Sequence, residues 1–474
     1  MNEPKSESPL ADAQPRLRRS LGLVSGVGLI VGITIGSGIY STPSIISTYF
    51  GSFSGVFAAW MGVAVFVLIG GAIYAELGTR MPDTGGEYVY LRKCFGPFVG
   101  FMFGWSQLFI IRTSAAAGLA IIATDYVSFF IPLSGTAHTA VALSIIALLG
   151  VLNYVGVQYA AAFQNGTTAI KVIGLLAFAT IGIVLLTGIS NHLGDTVESV
   201  RSLSPTGNLV AALMLIVFTH IGWDRLGYVA GEYKNPRKTI PRAMLIGMVV
   251  IILIYLLTNV IYHYALGMEA MRATTTPAAD VMQLMIGPIG AATVAILAII
   301  SAVGSINGTM MSATRVYYAM ARDGIFFKSL NFVHPTFRTP TKAIVVHCIW
   351  AGVLLVMRGS FEALAAGMVF AILIFYTFTT IALFKLRRAE TGDEDVYRMP
   401  FYPVLPAIYL IGVVGLLVFR IIYEPEKSMI DFAFIATGLP ISWFWLKGRS
   451  SDQGLRTGSD FTKNRNKKED ASAS

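Results

Sequence analysis

Ionisable side chains, Arg112, Lys171, His220 and Asp224 among them, stand inside apolar runs where charge is expensive, and two such runs are interrupted. The run at 28–43, GLIVGITIGSGIYSTP, crowds Gly32, Gly36 and Gly38 beside Thr34, Ser37 and Ser41. Each glycine weakens a helix interior by about 1 kcal/mol relative to alanine, so the cluster predicts a helix broken near Ser37. A break within a bilayer frees peptide groups that lipid cannot satisfy, and they must meet protein, water or a ligand. Amides opening the second half, at Ser37, Gly38 and Ile39 beside Gly36, suit a carboxylate. Carbonyls closing the first half, at Ile33 and Thr34, suit an ammonium. An amino acid carries both groups side by side.

The second interrupted run, at 213–243, places Thr219, His220, Gly222 and Asp224 where lipid-facing residues belong. Carbonyls from Phe218 to Ile221, Thr219 among them, would add acceptors for the same ammonium. Asp224 has two readings, an N-cap for the second half of this helix or a substrate contact. Phe218 is either core packing or an aromatic beside the break. His220 reads as a satisfied structural histidine or as a group titrating near neutrality. Ile221 adds volume and no charge, which favours a neutral substrate.

Arg112 lies at the centre of the apolar segment 97–129, too deep to snorkel easily. It is a structural arginine neutralised by carbonyls or by an acid such as Asp224, or else a substrate contact. Lys171, in QNGTTAIKVIGLLAF, lies roughly 15 Å from the nearer end of its segment at 1.5 Å per residue. It either snorkels under strain or holds its ammonium at the broken first helix, near Ser305. No paired acid and base and no metal-ligand spacing accompanies these charges, so neither an enzyme nor a cofactor is expected.

The elements that position these groups are membrane helices. In a chain of 474 residues, 55% are hydrophobic and 13% charged, and apolar runs repeatedly reach the roughly 20 residues that span a bilayer. Twelve spans are expected, at 21–48, 53–78, 97–129, 137–155, 161–188, 207–230, 241–266, 284–319, 341–357, 361–385, 402–420 and 429–446. The fold class is thus an all-α membrane protein. A cytoplasmic tail at 1–20 lacks the features of a signal peptide, and a tail at 447–474 reads as disordered. Lysine and arginine concentrate in alternate loops, with Arg201, Arg272, Arg358 and Lys427 the few on the opposite side. That asymmetry places both termini in the cytoplasm. The net charge of +9 is therefore topology, and its scatter over separate loops excludes a nucleic-acid partner. Cys94 and Cys348 fall in a loop and a span, which makes a disulfide framework unexpected.

Interrupted helices in matching positions of 21–188 and 207–385 point to an inverted-repeat transporter, with 402–446 outside the repeat. The phrase ELGTRMPDTGGEYVYLRKCFGP at 76–97 resembles the first cytoplasmic loop of amino-acid/polyamine/organocation transporters, in the L-type amino-acid transporter branch. GWDRLGYVAGEYKNP is similar to that family's GW(D/N)xLNYxTEExKNP, with Gly231 replacing one of two acids. GSINGTMMSATRVYYAMARDG resembles a third phrase, with Asn307, Gly308, Arg315, Arg322 and Gly324 matching. In the family's similar IIRP phrase, proline stands where this chain has Thr113. The resemblance implies a LeuT-like five-plus-five inverted repeat with helices one and six broken. It also implies amino-acid exchange by alternating access, with Phe218 closing over the substrate. Lys171 would stand where sodium-driven relatives of the fold hold an ion, which implies sodium independence. The family's light chains bond a heavy chain through a cysteine in the loop near Ile131–His138. That loop has none here, so a monomer or homo-oligomer in the plasma or inner membrane is expected. Proton-coupled uptake and cationic amino-acid or polyamine antiport are the alternatives.

Overall fold

The computed structural model describes residues 21–36, 38–82, 85–198, 204–389 and 396–447. Ser37, Arg201 and both expected tails lie outside the described residues, apart from Lys447. The fold is helical: α1 (Leu23–Thr34), α2 (Gly38–Ser47), α3 (Phe53–Arg80), α4 (Glu87–Phe95), α5 (Pro97–Ser128), α6 (Gly135–Val155), α7 (Val157–Leu185) and α8 (Pro205–His220). It continues as α9 (Pro236–Ala273), α10 (Pro277–Met285), α11 (Pro288–Arg322), α12 (Thr341–Arg358), α13 (Phe361–Arg388), α14 (Val404–Tyr423), α15 (Pro425–Ala436) and α16 (Gly438–Lys447). Proline opens α5, α8, α9, α10, α11 and α15, where its missing N–H has no intrahelical role. Ser204 caps α8 by accepting from the Gly207 amide at 3.2 Å, and Ser360 caps α13 likewise from Ala363.

Among the described residues, ten helices are long and apolar enough to cross a membrane, and the pair α1–α2, bent by 47°, can supply an eleventh. The expected span 429–446 is instead two short helices, α15 and α16, parted at Thr437. Thr437 itself keeps helical φ −57° and ψ −23° between them. α1 and α3 both pack on α9, α5 packs on α11, and α8 packs on α13. This brings the ends of α1, α2 and α8 together in the middle of the bundle.

α5 contains a π turn at Gln107–Ile111, immediately before Arg112. The Thr113 hydroxyl donates to the Leu108 carbonyl at 2.7 Å, one residue further back than an α-helical bond would reach. Such turns commonly mark functional positions in a helix. Glu76, fully buried near the end of α3, is tied to sequence-distant partners. Its carboxylate accepts from Arg80 at 2.7 and 2.9 Å, from Arg387 at 2.7 and 2.8 Å, and from the Met399 amide at 2.9 Å. This cluster fastens the end of α13, and the loop following it, to α3.

Candidate substrate cavity

The two interruptions meet face to face. α1 ends at Thr34 and α2 begins at Gly38, while α8 ends at His220 and a 3-10 segment starts at Trp223. Between α8 and that segment, Gly222 has φ 144°, a conformation side-chain-bearing residues rarely adopt. A Cβ there would come within 2.6 Å of the Thr34 hydroxyl and 2.9 Å of its backbone. One phenol joins both breaks: the Tyr255 hydroxyl on α9 lies 2.8 Å from the Thr34 carbonyl and 3.4 Å from that of Thr219.

Beside this junction is a cavity of about 540 Å³. Its wall includes Ile33, Thr34, Gly36, Gly38, Phe218, Thr219, Ile221 and Lys171, all singled out in the sequence. Ser25, Asn165 and Arg315, at its mouth, are exposed. On the other side the Phe218 ring packs edge-on against Phe361 at 5.2 Å. Lys171 is fully buried, with Nζ 3.4 Å from Ser305 Oγ. A Cβ on Gly36 would in turn lie 3.3 Å from that same Oγ. Ser305 thus stands between the ammonium and the broken backbone. Gly32 plays a different part from the one expected. It is helical within α1, and its lack of a Cβ lets Thr168 of α7 come close.

Some expected contacts are absent from the cavity wall. Ile39 is fully buried outside it. The Thr34 carbonyl already receives the Gly36 amide at 2.7 Å and Tyr255 at 2.8 Å, so its two lone pairs are used within the protein. The Thr34 hydroxyl, by contrast, has no hydrogen-bond partner among the described residues. Gly38 and Ile39 open α2, where helix geometry leaves amides without intrahelical acceptors.

Asp224 is fully buried behind the wall, 3.8 Å from Arg112 and 3.3 Å from Arg225. Neither pair has hydrogen-bond geometry. The N-cap position belongs to Gly222, and Asp224 lies in the first turn of the 3-10 segment. A buried ion pair of this kind sets orientation more than it adds stability. Arg112 therefore has an acid for a partner, and neither reaches the cavity wall. His220 is also absent from the wall. Its Nδ1 bonds the Ile216 carbonyl at 2.9 Å, and its ring lies 5.5 Å from that of Trp60 and 5.2 Å from that of Tyr255.

Sequence reasoning missed Tyr255, which sits in an unremarkable apolar run, and the cavity role of Arg225. The latter donates to Ser312 of α11 at 3.3 Å. Its place beside Asp224 was the available signal. Gly222→Ala is expected to abolish transport, because the backbone strain of about 1–3 kcal/mol adds to a collision with Thr34. Initial uptake rate and size-exclusion profile, measured together, check this; normal uptake would dismiss the close approach.

The sequence pattern of the family described as Amino acid permease matches residues 21–445. The chain is 28% identical to the serine/threonine exchanger SteT of Bacillus subtilis (strain 168) over 438 residues, covering 92% of this chain and 98% of the relative. It is 28% identical to the human cystine/glutamate transporter over 93% of this chain and 88% of that one. It is also 28% identical to the mouse Asc-type amino acid transporter 1, over 92% of this chain and 83% of the relative.

Proposed function

The chain belongs to the amino acid permease family, and on that premise we propose that it exchanges neutral L-amino acids by alternating access, without sodium. It is a multi-pass membrane transporter rather than an enzyme. The observation that carries the proposal is the cavity at the paired helix interruptions, with the Lys171 ammonium buried at its edge. The substrate carboxylate meets the opening amides of α2, at Gly38 and, in the sequence reading, Ser37. Its ammonium meets carbonyls at Ile33 and along Phe218–Ile221, and its side chain lies toward Ile221. The Lys171 charge stands where a bound cation would otherwise hold α7 to α1 and α11, which makes sodium dispensable. The halves 21–188 and 207–385 are the two repeats, and the cavity opens on the cytoplasmic side. The resting assembly is a monomer or homo-oligomer in the cell membrane.

Charge weighs against the cationic alternative. Lys171, Arg225 and Arg315 line the cavity, and no carboxylate does among the described residues. An arginine side chain or a polyamine would enter against like charges without a counter-ion, an arrangement that disfavours binding. Counterflow into proteoliposomes loaded with leucine, serine, alanine or arginine tests the reading, with and without sodium. Accumulation of labelled serine, alanine or leucine unaffected by sodium is the expected result. Preferential arginine counterflow, or an absolute sodium requirement, would overturn it.

A further inference from the structure

Glu87, the first residue of α4, is fully buried, and no described cation lies within ion-pair distance of it. Its Oε1 accepts from Thr379 of α13 at 3.3 Å, while its Oε2 has no hydrogen-bond partner among the described residues. Tyr74 of α3, Tyr376 of α13, Tyr409 of α14 and Tyr228 of the 3-10 segment lie within electrostatic reach of it. The Tyr376 and Tyr409 hydroxyls are also buried, with no hydrogen-bond partner among the described residues. The charged groups facing it are Asp224 of the 3-10 segment and Arg112 of α5. On α4 itself, Arg92 is turned away to Asp323 at 3.0 Å. Asp224 has two guanidinium groups within ion-pair distance, and Glu87 has none among the described residues.

Gly86 couples this acid to the element that interrupts the second broken run. At φ 53° it abuts the 3-10 segment so closely that a Cβ would lie 3.0 Å from the Tyr228 ring and 3.1 Å from its amide nitrogen. A displacement of that segment against α4 therefore changes the distance from Glu87 to Asp224. A buried carboxyl responds strongly to such a change, because charge interactions are weakly screened there.

We propose that Glu87 is the proton-binding group of this transporter, taking up and releasing a proton as the 3-10 segment moves against α4. The proton passes from water of one compartment to the Glu87 carboxylate, giving the neutral acid, and leaves to water of the other; no other bond changes. Burial first, then the Asp224 carboxylate, push the acid up to about 8, against Tyr74, Arg112 and Thr379, which favour the charged form. The proposal rests on the transport reading and extends it from exchange alone to net uptake, in which one proton enters with each substrate.

The test uses the full-length protein, with Glu87→Gln and Thr379→Val variants, in two arms. In detergent, the folded acid keeps its proton between about 4.5 and about 8, where the unfolded chain has lost it. Stability from this group is therefore lost as pH rises through that window. The melting temperature of the wild type should fall relative to E87Q across it, and T379V should carry the fall to higher pH. In proteoliposomes, an inward proton gradient should drive accumulation of labelled serine, alanine or leucine, toward a limit of about tenfold per pH unit for one proton per substrate. E87Q should keep counterflow and lose this accumulation. Parallel melting curves of wild type and E87Q, or an unshifted window in T379V, would overturn proton binding at Glu87. Equal gradient-driven accumulation in wild type and E87Q would overturn coupling. Absence of counterflow in the wild type would remove the transport reading and with it the coupling, while the melting arm still decides proton binding.

Discussion

Lys171→Ala slows amino-acid exchange by about ten- to a hundredfold while apparent affinity stays within about threefold. The range follows from the chemistry of the contact. A hydrogen bond from a charged donor contributes about 1.5–3 kcal/mol, and each 1.4 kcal/mol is a factor of ten in rate if the contact is made in the transition between states. The ammonium reaches Ser305 at 3.4 Å, and Ser305 abuts Gly36 at the break in the first helix. Removing it loosens the hold of α7 on α1 and α11 without deleting a group proposed to bind substrate. Initial rates of counterflow over a range of substrate concentrations separate the two effects. A mutant that turns over like the wild type would remove Lys171 from the mechanism. One that fails only in affinity would make it a substrate ligand.

Glu76→Ala should lower stability by about 3–5 kcal/mol, the usual cost of leaving a buried charge without its partner. Two guanidinium groups and the Met399 amide lose their acceptor at once. Arg80 and Arg387 are both mostly buried, so neither can simply turn to water. The consequence should also be local to function. Arg387 anchors the end of α13, which also supplies the Phe361 ring packed on Phe218 and the Thr379 hydroxyl on Glu87. Thermal melting in detergent and the yield of monodisperse protein measure the loss. A variant that melts with the wild type would show that solvent reaches the cluster and screens it.

These expectations share one physical basis. A helix broken in a low-dielectric interior must have its freed peptide groups satisfied by some other group. Here Tyr255 and the Gly36 amide satisfy the Thr34 carbonyl, which leaves less of the broken backbone for substrate than a bare interruption would. The Thr34 hydroxyl and the first amides of α2 remain as candidate polar contacts on that side.

By itself the sequence determined the class of protein and the places where its helices part. Runs of apolar residues long enough for a bilayer, and clusters of glycine and polar residues within them, are local properties, and they marked the neighbourhoods of Gly36 and Ile221 directly. Short phrases such as GWDRLGYVAGEYKNP also carried the family, since a motif is read within one stretch of chain. Only the tertiary structure decided which polar groups meet. Tyr255 reaches Thr34 from 221 positions away, and Arg387 reaches Glu76 from 311. Asp224 reads in sequence as a cap, a ligand or the partner of Arg112, and packing places it against Arg112 and Arg225 behind the cavity. Glu87 reads as one more loop acid until α13 and the 3-10 segment pack against its end of α4 and it is buried. Such pairings follow from how helices rotate and cross when they pack, and residue order within any one helix carries no record of the partner it will face.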